Sequence, residues 1–261
     1  MTTSFSIARV GQLIRKQAIE NGRIYLMSGL AIFGSQALML AFAILINQPH
    51  FNETIFYVFY VSGLLICGSV FASRAFSMLG YRARGIYWLG FPASHLEKLV
   101  TTILYSTILF FILYTAGFFV LKQIALLYIH NNPRIIYTSF NWERGFGRTL
   151  PNMVIAFFAI QSFYLLGSVY FQHAAFIKTT LVAVLTIFVL VYLYKMVLDG
   201  LLPAGYIWRG FDITYFGNDG SWSKTYSASP GVTHFLSWVL RLIWAPFFWT
   251  VTWFRLKEKQ I

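Results

Sequence analysis

Six long apolar runs divide the chain, at residues 24–46, 55–72, 99–121, 151–171, 176–198 and 234–254. Each is close to the roughly 20 residues that an α-helix needs to cross about 30 Å of hydrocarbon. An α-helix also satisfies its own backbone groups, as a lipid-facing segment must. The pattern therefore predicts an all-α polytopic membrane protein: six transmembrane helices in a single transmembrane domain spanning residues 1–261. Ahead of the first run, Ile7, Val10, Ile14 and Ala18 recur at helical spacing, with Arg9, Gln12, Lys16, Glu20 and Arg23 on the opposite side. That spacing predicts an amphipathic amino-terminal helix over residues 1–23, lying at the cytoplasmic interface. A plain basic flank of the first span is the other reading.

The polar intervals differ in kind. The turn at 47–54 is short and carries no Lys or Arg. Residues 73–98 form an ordered elbow, in which Arg74, Arg82, Arg84 and Lys98 alternate with short apolar groups and Glu97 is the one acid. Pro92 breaks the chain there, and Ser94-x-x-Glu97 has the spacing of a capping box, which starts a helix by satisfying its first free N–H groups. The interval 199–233 is unlike both. Pro203 and Gly205, Gly210, Gly217, Gly220 and Gly231 exclude a continuous helix, yet Tyr206, Ile207, Trp208, Phe211, Tyr215, Phe216, Trp222 and Tyr226 are too apolar for a free loop. The segment is either an ordered outer cap or a re-entrant stretch that dips into the bilayer.

Composition removes the soluble alternative. Only 11% of the 261 residues are charged and 58% are hydrophobic, where a soluble domain carries about 25% charged residues. The 20 Lys and Arg against 8 Asp and Glu would suggest nucleic acid in a soluble protein. Here they read as the cationic flanks of membrane spans facing anionic lipid, and no nucleic-acid partner is implied. With both termini inside the cell, the cytoplasmic segments hold Arg9, Arg15, Lys16, Arg23, Arg74, Arg82, Arg84, Lys98, Lys178, Arg255, Lys257 and Lys259. The expected location is the cell (inner) membrane, multi-pass, with both ends cytoplasmic.

The layout resembles that of type-2 ABC transporter permeases: six spans, an amphipathic amino-terminal helix, a basic elbow between spans two and three, and a long outer interval before span six. Locally, Gly90-Phe-Pro-Ala-Ser-His-Leu-Glu-Lys98 is similar to the family's Leu-Pro-Val-Ser-Arg pattern before span three, with Phe91, Ala93 and His95 in place of Leu, Val and Arg. The resemblance implies a coupling helix that docks on a separate cytosolic ABC ATPase. Arg82, Arg84, Ile86, Tyr87, Trp88 and Leu89 would form that interface, with Pro92, Ser94, Glu97 and Lys98 as the break and helix cap. It further implies a homodimer or a heterodimer with a second permease, short re-entrant helices within 199–233, and no cofactor.

The chain has no Walker A pattern, so hydrolysis would belong to the partner and the chain is not itself an enzyme. Its five histidines are scattered over different loops and ends, and its single cysteine, Cys67, lies in an apolar run, so no metal site is suggested. Arg241, about two turns into the last span, is a candidate intramembrane charge. Its long stem can instead carry the guanidinium to the interface. The function expected is the permease subunit of an ABC-type exporter. A non-transporting membrane scaffold or assembly protein is the alternative, favoured by the scarcity of polar residues within the spans, among them Ser28, Ser35, Gln36, Ser62, Gln161 and Ser162. On that alternative Arg82 and Arg84 bind lipid headgroups, while Tyr87 and Trp88 anchor at the interface.

Overall fold

A computed structural model describes residues 6–90, 93–139, 150–201, 206–209, 212–216, 223–227 and 229–259. Among the described residues, six helices are long and apolar enough to cross a membrane. The first, α1, runs unbroken from Ile7–Ile46, and its 40 residues make a rod about 60 Å long. The amphipathic stretch is thus the first half of the opening span and not a separate helix. Nothing between Ala18 and Ile24 stops a helix: there is no proline, and Gly22 alone weakens one without ending it.

A three-residue strand, β1 (His50–Asn52), leads into α2 (Thr54–Ser73). The elbow follows as a 3₁₀ turn, Ser77–Gly80, and a short helix, α3 (Arg82–Gly90). The next rod is composite. It starts as α4 (His95–Ile103), widens to a π-helix over Leu104–Leu109 and continues as α5 (Phe110–Asn131). Strand β2 (Ile136–Thr138) pairs in parallel with β1, His50 opposite Ile136. Then come α6 (Leu150–Tyr170), α7 (Ala175–Leu201) and α8 (Pro230–Glu258). Between α7 and α8 lies an antiparallel meander of β3 (Tyr206–Arg209), β4 (Asp212–Phe216) and β5 (Ser223–Ser227).

That meander corrects the expectation of re-entrant helices. Between the end of α7 and Ser229, the described residues are all strand, with Tyr206 opposite Tyr215 and Thr214 opposite Thr225. Aromatic and β-branched residues fill most of these strand positions and suit a pleated surface better than a short helix, and the Thr214 and Thr225 hydroxyls hydrogen-bond across the strands at 3.0 Å.

The main core joins α1, α2, α5 and α6. Leu40, Ile44, Phe56, Leu64, Phe110, Tyr114, Phe118 and Phe157 are buried in it. Two amides enter this apolar interior, each over a glycine of α2. A Cβ on Gly63 would fall 2.0 Å from Nε2 of Gln36, and one on Gly68 would fall 2.2 Å from Nε2 of Gln161. Glycine is required at both places because the amides occupy the space a side chain would take. Gln36 donates to the Tyr114 hydroxyl, which donates to the Tyr60 carbonyl at 3.2 Å. Three of the span serines settle locally: Ser35, Ser62 and Ser162 donate to the carbonyls of Ile32, Val58 and Ala159 on their own helices.

Candidate functional site

Both ends of the described chain meet the elbow at one end of the bundle. A second, smaller core forms there from Phe76, Leu79, Leu99, Leu165, Val169 and Leu256, which come from the elbow, α4, α6 and α8. Phe76, 1% exposed, meets the edge of Trp88 with ring centroids 5.6 Å apart. Trp88 is therefore half-buried, and it lies under the ammonium of Lys98, 5.2 Å from the ring centre. This changes the expected contact face: Trp88 holds the elbow to the bundle instead of standing free on its surface.

Ile86 and Tyr87 face outward, 56% and 62% exposed. Tyr87 is tied to α1 through Lys16, whose Nζ donates to the phenol oxygen at 3.0 Å and lies 4.4 Å from the ring centre. The backbone of α3 carries Arg82, Arg84 and Leu89, but their side chains lie outside the described residues, as does Pro92 altogether. The 3₁₀ turn reaches the link between α6 and α7. A Cβ on Gly80 would fall 3.0 Å from Cβ of Gln172, and the rings of Tyr81 and His173 meet edge to face at 6.2 Å.

Glu97 is the centre of this end. It is fully buried. Its Oε2 accepts from the backbone N–H of Ser94 at 2.8 Å, and Ser94 Oγ accepts from the Glu97 N–H at 3.2 Å, which is the capping box at the start of α4. Its Oε1 accepts from the backbone N–H of Ser6 at 2.7 Å and from Nε and Nη2 of Arg9 at 3.1 and 2.9 Å. A buried carboxylate stays ionised only when donors and a cation surround it, and here both come from the first turns of α1. One side chain therefore caps α4 and fastens α1 to it. The spacing Ser94-x-x-Glu97 reveals the cap. The link to Ser6 and Arg9 joins residues about ninety positions apart and leaves no local trace. The one hint is that Glu97 is the only acid in a basic elbow.

Arg241 stands apart from this cluster. It is exposed on α8 and donates through Nη1 to the side-chain oxygen of Asn152 on α6. Compared with known proteins, the chain matches no family model, no curated protein and no solved structure.

Proposed function

We propose that this chain is the membrane-spanning permease subunit of an ABC-type exporter, coupling ATP hydrolysis by a separate cytosolic subunit to movement of a substrate. The observation that carries this reading is the seat of the elbow. It touches α1 through Tyr87 and Lys16, the α6–α7 link through Gly80 and Tyr81, and the α4–α8 contact through Leu79, while Ile86 and Tyr87 remain exposed. A soluble partner pressing on α3 would load all of these elements at once. The Trp88–Phe76 contact and the Ser94–Glu97 cap lead the push into the α4–α5 rod, and the Arg9–Glu97 pair carries it to α1. In this scheme the elbow and both chain ends face the cytoplasm, the partner ATPase supplies the energy, and a second permease copy or homologue completes the translocating pair.

The exposed residues give the sharper test. Replacing Tyr87 by Ala and Ile86 by Asp should weaken capture of the cognate ATPase by about 2 kcal/mol for a docking hot spot, with membrane insertion and thermal unfolding unchanged. Reversing Arg82 and Arg84 to Glu should act in the same direction. If the parent captures no ATPase from its own host, or the variants capture as much as the parent, the scaffold reading replaces this one. Topology has its own check: after Cys67 is replaced, a cysteine at Tyr87 must resist an impermeant thiol reagent in intact cells.

A further inference from the structure

Four residues of α1 are spaced seven apart: Arg15, Gly22, Gly29 and Gln36. Seven residues fall about 20° short of two full turns, so the four stay on one face of the helix. The order along that face is a cation, two gaps and an amide. The gaps are real. A Cβ on Gly22 or Gly29 would meet no atom within 4 Å. Each glycine weakens the helix by about 1 kcal/mol relative to alanine, and what the pair creates is a slot of about 410 Å³ between α1, α2 and the α4–α5 rod.

The shape of the slot limits what fits. It follows α1 from Gly22 to Phe33, about 17 Å at 1.5 Å per residue. Its mean section is then about 25 Å², enough for an extended hydrocarbon chain whose carbons keep their usual contacts of about 4 Å. Tyr25 and Phe33 of α1, Phe71 of α2, and Tyr105, Phe110 and Tyr114 of the opposing rod make the wall almost wholly apolar. At the elbow end the rings of Tyr25 and Tyr105 stack at 5.7 Å. Their hydroxyls are already engaged, Tyr25 accepting from Gln17 at 2.9 Å and Tyr105 donating to the Ile14 carbonyl at 2.8 Å. At the other end Phe33 and Tyr114 stack at 6.3 Å, with the buried Gln36 behind them bonded to Tyr114, its Oε1 making no hydrogen bond.

Charge gives the slot a direction. Arg15 is exposed one heptad before Gly22, and Arg23 is exposed beside it. The acid on this stretch, Glu20, lies 3.8 Å from Lys16. We propose that the slot holds one acyl chain of an anionic phospholipid, with the lipid phosphate on Arg15 and Arg23 beside it. The chain threads toward Gln36, and the stacked Phe33 and Tyr114 rings set how deep it goes. The site is a property of the α1 face and stands whether the protein transports or only scaffolds.

The test uses the full chain in phosphatidylcholine nanodiscs doped with phosphatidylglycerol that carries a mid-chain diazirine. After irradiation, label should concentrate on peptides bearing residues 22–33 and 105–114 relative to those of α7. Unlabelled phosphatidylglycerol should displace it about fivefold better than phosphatidylcholine, the effect of one cation on an anionic lipid, and Arg15→Gln should erase that preference. Gly29→Leu fills the slot and should abolish the enrichment, as should Gly22→Leu, with thermal unfolding confirming that each variant folds. Gly34→Leu, equally open around its Cβ but outside the slot, should leave it intact. Enrichment that survives both slot-filling variants, or label spread equally over α7, would mean ordinary bulk lipid and overturn the proposal. Equal displacement by phosphatidylcholine would overturn its anionic part, and displacement by inorganic phosphate would show that the cations serve a free anion.

Discussion

The unit of α1, α2 and the α4–α5 rod and the lone rod α7 are both built from apolar residues, yet they are held in different ways. The first is fastened at both ends by a buried carboxylate. At the elbow end it is Glu97 with Arg9 and Ser6. At the opposite end it is Glu53, 7% exposed, which accepts from Lys122 of α5 at 2.7 Å and donates its backbone N–H to Thr138 at 3.1 Å. Helix α7 joins its neighbour through its first turns, where Thr179 packs on Gly167 and the Thr180 and Tyr164 hydroxyls meet at 2.9 Å. Beyond them Leu181, Leu185, Phe188, Tyr192 and Met196 are each more than 60% exposed. Lipid tails are as apolar as leucine, so apolar surface alone does not fix one helix against another in a membrane; polar contacts and close packing do. The fastened unit has both, and α7 past Thr180 offers a surface that lipid or another span can cover.

The comparison breaks most visibly at Glu97. Glu97→Ala leaves the Arg9 guanidinium and the Ser6 and Ser94 N–H groups without their acceptor, and removing one partner of a buried pair should lower stability by about 3 kcal/mol, somewhat less than for a fully enclosed pair because Arg9 reaches water. Thermal unfolding in detergent reads this as a clear fall in Tm. A loss under 1 kcal/mol would show that Glu97 does not fasten the two helices.

Lys122→Met comes next, at about 2 kcal/mol, since it strips the cation from a carboxylate that is almost as buried. A pH series sharpens it. Burial, with the hydrogen bond and negative charge of Glu53 behind it, raises the Tyr137 phenol to about 12. A phenol whose folded value lies above its ordinary one stabilises the fold below pH about 10 and loses that contribution as the pH climbs toward 12. Tyr137→Phe should lower stability at neutral pH by about 1.5 kcal/mol, the lost hydrogen bond to a buried charge, and should flatten the fall across that alkaline window.

Close packing inside the fastened unit is tested by Gly63→Ala. The new methyl would lie 2.3 Å from the Tyr114 hydroxyl and nearer still to the Gln36 amide, and overpacking of this kind costs about 1–3 kcal/mol. Gly34→Ala on the same helix bundle should cost nothing, because that face is open. The smallest effect belongs to α7. Phe188→Ala, at a site 70% exposed, should change unfolding by under about 0.5 kcal/mol, as for surface positions in general. A larger loss would reveal that a second span covers α7 in the membrane.

The six spans were legible because the signal is long and local: each run is about as long as the bilayer is thick, and no tertiary contact is needed to see it. The cap at Ser94 and Glu97 was legible for the same reason, since it is completed within one turn. Arg9 and Glu97 were not, because their meeting is decided by how α1 and α4 pack. The same holds for Trp88. As an aromatic in a basic elbow it has the composition of a contact surface, and only the position of Phe76 turns it inward. The strands of 206–227 were hidden for another reason. Glycines and aromatics signal a break from helix equally well for a loop, a short helix or a meander, and the register that selects the meander resides in pairs such as Trp208 with Ile213.

The π-helical turn at Leu104–Leu109 makes the composite rod unusually forgiving of one kind of change. A single surplus residue in an α-helix is accommodated as such a widened turn. Taking one residue out elsewhere in a span rotates everything beyond it by about 100° and turns its packed face to the lipid. Taking one out here would instead tighten the turn to an ordinary α-helix and leave His95 and Phe118 on their present faces. Among chains descended from the same ancestor, length variation within a span should therefore collect at this point, and a laboratory deletion of Ile108 should fold where a deletion of Leu165 would not.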